Sequence, residues 1–154
     1  MAGGMGVLLI NSLACDPTSH RPLFRPLPQA LVDTVSAHPR DVIRDLSARL
    51  ESEGLTLRRV SPRDGFLETR GFDVAARVTR DVDIRDPTRV FVIRIWADSL
   101  PGVRSLVTAE AAYRRTSDPS QTMRQSEVMA QPEHAGRQLV VAVIQATKAH
   151  FRGQ

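Results

Sequence analysis

Apolar residues recur at helical spacing over residues 41–53. Val42, Leu46 and Leu50 form an i, i+4, i+8 stripe, and charged residues occupy the other faces. Gly54 follows directly, at a place where glycine commonly ends a helix. Residues 133–151 have a similarly wide apolar face. The pattern therefore predicts two amphipathic helices, one early in the chain and one at its C-terminal end.

The segments around the first helix have the alternating or β-branched composition of strands. These predicted strands cover residues 29–37, 55–60, 66–72, 90–96 and 103–113. Asp64 and Gly65 supply the positive φ of a tight turn, so the second and third strands form a hairpin. The predicted fold class is α+β, with a curved antiparallel sheet of four to five strands and two helices packed on one face.

A long polar stretch, residues 116–132, separates the last strand from the final helix. A loop of this length in a compact domain is usually functional or mobile. Met123 and Met129 within it are candidate partner contacts, since methionine adapts to varied surfaces. The single tryptophan, Trp96, is either a core or strand-end residue or a third partner contact.

The N-terminal segment, residues 1–15, has an uncharged start, a short apolar run and a small residue before Cys15. It is similar to a bacterial lipoprotein signal, in which the cysteine is lipidated after cleavage. The resemblance implies lipidation at Cys15 and membrane affinity through acyl chains. Asp16 follows the cysteine, and this resembles an inner-membrane retention signal. The alternative is a first strand or packed arm, with Cys15 as a small buried hydrophobe.

Four prolines interrupt residues 16–28 and forbid a regular helix or central strand there. This composition predicts a stiff, extended tether between the signal-like segment and one α+β domain over residues 29–154. The alternative is a loop that packs along the domain through Leu23, Phe24 and Leu27.

The chain has a formal net charge of +4, which raises the question of nucleic-acid binding. From residue 40 to 89, eleven arginines face ten acidic residues, so the basic surplus is dispersed rather than gathered in a stripe. The few aromatic residues are not interleaved with arginine, and this disfavours base stacking. Nucleic-acid binding is therefore the weakest functional alternative.

No catalytic constellation is evident in the sequence. It lacks a G-x-S-x-G elbow, a phosphate-binding loop and a dinucleotide fingerprint. The four histidines have no i, i+3 or i, i+4 spacing for a metal site. Asp81, Asp83 and Asp86 could gather a cation, but a solvated acidic turn flanked by arginines is the preferred interpretation. We expect no enzyme activity, no cofactor and no metal.

The order of elements resembles the helix-grip domains of bacterial envelope lipoproteins, such as the lipoprotein C subunit of the outer-membrane barrel-assembly machinery. The pattern consists of the apolar helix through Leu50, the Glu53-Gly54 stop, the next strand and the Asp64-Gly65 hairpin. It covers roughly residues 29–151. The resemblance implies a binding or assembly domain and assigns no functional residue.

Together these features predict a non-enzymatic accessory subunit on the periplasmic side of the cell envelope, anchored in the inner membrane at Cys15-Asp16. It would dock on a larger membrane protein complex through its sheet or through residues 116–132. The alternative is a carrier that holds a small molecule or lipid between the sheet and the C-terminal helix, where Ala109, Ala111 and Ala112 would leave room.

Overall fold

The computed structural model describes residues 19–80, 87–116 and 118–153. Cys15 and the Asp81, Asp83 and Asp86 cluster lie outside these residues. The lipidation of Cys15 and the solvated acidic turn at the three aspartates therefore stay predictions.

The first helix, α1 (Pro39–Ser52), forms where the apolar stripe predicted it. Proline occupies its first turn, where a missing backbone N–H costs nothing. The stripe residues Val42, Leu46 and Leu50 are fully buried. Gly54, just past the helix, adopts a φ of 90°, which explains why glycine stands there.

All strand pairs described are antiparallel, so the fold is α+β. The strands are β1 (Leu31–Val35), β2 (Leu57–Ser61), β3 (Phe66–Thr69), β4 (Phe72–Asp73), β5 (Val78–Thr79), β6 (Val90–Leu100), β7 (Arg104–Arg114) and β8 (Glu127–Met129). A 3₁₀ turn, Pro87–Arg89, leads into β6. Two further helices are α2 (Met123–Ser126) and α3 (Ala135–Arg152). The order across the sheet is β1-β7-β6-β3-β2.

The prediction of four to five strands was wrong, because the described part of the chain contains eight. The predicted strand over residues 66–72 is two short strands, β3 and β4, which pair with different parts of β6. β4 also pairs with the two-residue strand β5. Strands this short carry too few residues to show an alternating pattern.

The stretch over residues 116–132 is also not a continuous loop. Thr122 and Gln125 form a reciprocal capping box that starts the short helix α2. The chain then runs directly into β8, which adds to the edge of β7. Polar composition concealed both elements, since a single helical turn and a three-residue strand have no detectable period.

The long helices α1 and α3 pack on one face of the sheet, which we call the inner face. Ile93 and Ile95 from β6, with Val107 and Ala109 from β7, point into a core that includes Val140 of α3. Their neighbours along each strand point to the opposite, outer face, because side chains alternate along a strand. Within the described residues, no helix combines the length and apolar character needed to cross a bilayer.

The break between β3 and β4 opens one end of the outer face. Thr69 is buried there, and its hydroxyl Oγ1 accepts a hydrogen bond of 3.0 Å from the backbone N–H of Ile93. This bond replaces the ladder bond that a continuous strand would make. At Gly71 a Cβ atom would lie 2.4 Å from the carbonyl oxygen of Arg80, so the close approach of these backbones requires glycine.

Candidate functional site on the outer face

Sheet register places three charged residues side by side in the middle of the outer face. Arg94 of β6 lies opposite Glu68 of β3 and Glu110 of β7. Its Nε donates to Glu68 Oε1 at 2.9 Å, and its Nη1 donates to Glu110 Oε1 at 2.9 Å. All three residues are buried, so removing these charges from water costs free energy that hydrogen bonds and ion pairs must offset.

The short elements α2 and β8 complete this cluster. Glu127, the first residue of β8, accepts two hydrogen bonds of 2.8 Å from the guanidinium of Arg94. Arg124 of α2 donates to Glu110 Oε1 at 2.6 Å and to Glu127 Oε2 at 3.2 Å. We refer to Glu68, Arg94, Glu110, Arg124 and Glu127 as the outer-face network. It holds two cations against three carboxylates.

Hydrogen bonds and neighbouring charges in the network favour the ionised forms of Arg94 and Glu127. Burial on its own lowers the pKa of Arg94, but hydrogen bonding and charge attraction from Glu127 outweigh it and raise the pKa. Burial would raise the pKa of Glu127, but the bonds and charges of Arg94 and Arg124 hold it below its usual value. A carboxylate held ionised and fully hydrogen-bonded is a poor proton acceptor, so the network suits positioning better than acid–base catalysis.

Residues 19–30, which we call the outer-face segment, lie against this network. The Phe24 ring lies beneath both guanidinium groups, with centroid distances of 5.4 Å to Arg94 and 4.5 Å to Arg124. The backbone N–H of Leu27 donates to Glu110 Oε2 at 2.8 Å, and the carbonyl of Arg25 accepts from Arg124 Nη2 at 2.6 Å. Glu110 therefore accepts one backbone N–H in addition to the hydrogen bonds from Arg94 and Arg124.

The start of the outer-face segment is held at the hairpin end of the sheet. The backbone N–H of His20 donates to Asp64 Oδ2 at 2.8 Å, and Arg21 forms a two-bond ion pair with Asp98. Residues 19–28 of the predicted tether thus contact the domain, as in the packed-loop alternative. Phe24 and Leu27 make the contacts, whereas Leu23 is fully exposed.

A cavity of about 370 Å³ lies on the outer face beside the network, at the end opened by the break between β3 and β4. The apolar part of its wall is formed by Val90 and Val92 of β6 and by Ala112 of β7. Glu127 links the cavity to the network, and Met123 of α2 lies at its side. The lining also includes Arg58, Arg70, Arg80 and Arg114. The volume is within the range typical of small-molecule sites.

The predicted partner contacts have different environments. Met123 is 49% exposed, but Met129 and Trp96 are buried. Trp96 packs on the outer face between Phe66, with a centroid distance of 5.4 Å, and Phe24, at 6.3 Å. Trp96 and Met129 are therefore not surface anchors, and of these three residues only Met123 is available to a partner. Of the two interpretations of Trp96, a buried packing residue is the one that agrees with the structure.

The room predicted beside the C-terminal helix is filled. Ala109 and Ala111 are fully buried in the inner core with Val140 and Ile144 of α3. Ala112 points to the other face and lines the cavity there. The three alanines therefore do not share one side, because alternation along β7 separates Ala112 from the other two.

Histidine and aspartate side chains have structural roles in the described residues. His134 caps α3 by accepting from the backbone N–H of Gly136, and its ring stacks on Tyr113. Asp73 is fully buried and ion-pairs with Arg89 at 3.1 Å. Its pKa is lowered, first by the N–H of Ala76 and then by neighbouring arginine charges. Within the described ranges, no group of three or more His, Cys, Asp or Glu side chains could hold a metal.

Sequence reasoning missed the outer-face network and the cavity. One signal was present: Arg94 interrupts the otherwise apolar run from Val90 to Trp96, in the centre of a strongly predicted strand. A charged residue at such a place needs buried partners. Its partners Glu110 and Glu127 lie 16 and 33 residues away, so only the register of the sheet identifies them.

No protein-family model matches this chain, and no curated protein sequence matches it.

Proposed function

We propose that this protein is a non-enzymatic accessory subunit, tethered to a membrane through Cys15, that docks on a larger membrane protein complex. The observation that carries the proposal is the fixed path of the outer-face segment. His20, five residues after Cys15, is bonded to Asp64, and Arg25 and Leu27 are bonded to the network. Five extended residues span at most about 18 Å. A lipidated Cys15 would therefore keep the domain next to the bilayer.

The helix-grip resemblance supports the same proposal. The chain has the order strand, helix, several strands, helix, with α1 and α3 on one face of an antiparallel sheet. Domains of this architecture serve binding and assembly, and the outer-face network has the features of a positioning device rather than of a reaction centre. The periplasmic location and inner-membrane anchoring at Cys15-Asp16 belong to this proposal.

The exposed side chain of Met123 is the contact that the proposal assigns to a partner. A photo-reactive amino acid at position 123 should form a covalent adduct with an integral membrane protein in intact cells. The same amino acid at Val141, which is 42% exposed on α3, is the matched control. Equal adducts from both positions, or none from position 123, would contradict docking through this surface.

Measuring the intact mass of the chain purified from its native membrane fraction tests whether Cys15 carries a lipid anchor. A mass without residues 1–14 and with a diacylglycerol on Cys15 is the expected result. A full-length, unmodified mass would remove the tether from the proposal. The proposal expects that replacement of Cys15 with serine abolishes the membrane association of the protein. Unchanged membrane association in that variant would contradict the lipid anchor.

A small-molecule or lipid carrier is the second candidate function, and the outer-face cavity favours it. The site differs from the one first predicted, because the space between the sheet and α3 is occupied by core side chains. Native mass spectrometry of gently purified protein would show a bound small molecule. If the measured mass equals that of the polypeptide alone, although no step of the purification removes bound lipid, the protein holds no tightly bound ligand.

A further inference from the structure

The cavity beside the network has an excess of positive charge. Its described lining includes four arginines: Arg58, Arg70, Arg80 and Arg114. Glu127 is the acidic residue of this lining, and it is already bonded to Arg94 and Arg124. Arg80 lies 3.5 Å from a carboxylate oxygen of the buried Asp73. An anion entering the cavity would therefore meet chiefly the other arginines, which Glu127 does not neutralise.

Two of these arginines have side chains without a bonding partner in the part of the chain that the structure describes. They are Arg70, just after β3, and Arg114, at the end of β7. Arg58 lies 3.9 Å from Glu68, and that carboxylate is already bonded to Arg94 at 2.9 Å. Other arginines of this face, such as Arg21 and Arg124, have close carboxylate partners. The planar guanidinium group pairs best with carboxylate or phosphate.

The wall of the cavity between these arginines is apolar. Val90 and Val92 of β6 lie beside Ala112 of β7, whose small side chain leaves space above the sheet. Met123 borders the same space and is half exposed. A purely ionic ligand such as inorganic phosphate would leave this wall without contacts. A ligand with an apolar part would cover it and gain the free energy of removing that surface from water.

We propose that the cavity binds a single-chain amphiphile with a carboxylate or phosphate headgroup. The headgroup pairs with Arg70 and Arg114, and the apolar chain lies on Val90, Val92 and Met123. This inference rests on the second candidate function and does not require the membrane tether. A failure of lipidation at Cys15 would leave it intact, and a failure of ligand binding would leave the tether intact.

Isothermal titration of the full chain with octanoate and with octyl phosphate tests the proposal. Octanol, acetate and inorganic phosphate are the probes that lack one half of the amphiphile. Arg70→Gln and Arg114→Gln should each weaken binding of the amphiphiles by about tenfold, as expected for loss of one charge-assisted pair. Arg152→Gln, at the exposed end of α3 on the other side of the sheet, is the matched control and should bind as the parent does.

Circular dichroism and thermal melts of the variants separate lost binding from lost folding, since none of the residues that the structure describes bonds to the side chain of Arg70 or Arg114. Octanol that binds as tightly as octanoate would overturn the assigned headgroup contacts, and phosphate or acetate that binds as tightly as the amphiphiles would overturn the apolar contact. Equal loss in Arg152→Gln, or no binding by the parent, would overturn the site. Uptake of oleate from phosphatidylcholine vesicles that contain it, if Arg70→Gln abolishes that uptake, would identify a membrane as the source of the ligand. Binding of the free amphiphiles alone would identify a soluble one.

Discussion

Arg94 and Glu127 face each other through two parallel hydrogen bonds of 2.8 Å, one from each terminal nitrogen of the guanidinium group. This bidentate pair joins the central strand β6 to the last strand, β8. Glu127 is also bonded to Arg124, which holds the backbone of Arg25. The pair is thus the link between the sheet, the short helix α2 and the outer-face segment.

Arg94→Met should be among the most destabilising single substitutions in this protein. It removes the main cation from three buried carboxylates, and breaking a buried ion pair in this way costs roughly 3–5 kcal/mol. Chemical denaturation measured by circular dichroism would give the free energy of unfolding. Arg44→Met is the matched control, because Arg44 and Asp41 form an exposed pair 3.7 Å apart whose loss should change stability by less than about 1 kcal/mol. Similar losses for the two variants would contradict a structural role for the network.

Stability should fall with acid in a way that depends on Glu127. Its pKa in the folded protein is below 4.5, the ordinary value for a glutamate side chain, because the bonds and charges of Arg94 and Arg124 outweigh the effect of burial. A carboxyl with a lowered folded pKa contributes stability that is fully present above its unfolded pKa and is lost as pH falls through the folded pKa. Thermal melts between pH 7 and pH 3 should therefore show a decline that begins near pH 4.5.

Glu127→Gln tests the assignment of that decline, because glutamine cannot titrate. The variant should be less stable than the parent at pH 7, and the difference between the two should narrow as pH falls below 4.5. Asp33 and Asp45 also have lowered pKa values, because hydrogen bonds and nearby charges, first those of Lys148 for Asp33 and of Arg49 for Asp45, together outweigh the effect of burial. The parent and Glu127→Gln both retain these two aspartates, so the contribution of the aspartates cancels in the difference between the two free energies of unfolding. A difference that stays constant with pH would contradict the role of Glu127.

The outer-face segment should loosen when its aromatic contact is removed. Phe24→Ala removes the ring from two guanidinium groups and from the edge of Trp96. A cation–π contact of this kind contributes about 0.5–2 kcal/mol. Hydrogen exchange of the Leu27 amide, which is bonded to Glu110, should therefore accelerate. Leu23→Ala is the neighbouring control, because Leu23 is fully exposed and its loss should leave that exchange rate unchanged.

Some elements of this fold could be predicted from sequence and others could not, for identifiable reasons. The stripe through Leu46 predicted α1, because a fourteen-residue helix repeats its pattern several times. α2 and β8 are too short for their sequences to show a repeating pattern, so the polar composition around them indicates a loop. The sequence leaves Trp96 open as a core residue or a partner contact, since a lone aromatic residue does not show which face it occupies until Phe24 and Phe66 are placed beside it.

The candidate site was less predictable than the fold. Arg94 needs partners from three other strands, and their identity depends on strand order and register rather than on local composition. The dispersed arginines showed no stripe along the chain, yet the sheet brings Arg70 and Arg114 to one cavity. A count of charge along the sequence cannot detect such a cluster, because it forms only between distant strands.

Gly136→Ala should destabilise the protein although alanine favours helices. A Cβ at Gly136, near the start of α3, would lie 2.7 Å from the ring of Phe91, which is fully buried. The intrinsic gain from replacing glycine is at most about 1 kcal/mol, whereas overpacking a filled core costs typically about 1–3 kcal/mol. Gly153→Ala at the other end of α3 is the matched control, since its Cβ would make only ordinary contacts at 3.8 Å. Denaturant titration should show a loss for Gly136→Ala and little change for Gly153→Ala. Equal or higher stability of Gly136→Ala would mean that α3 can move away from Phe91, and that the inner core is less tightly packed than the structure indicates.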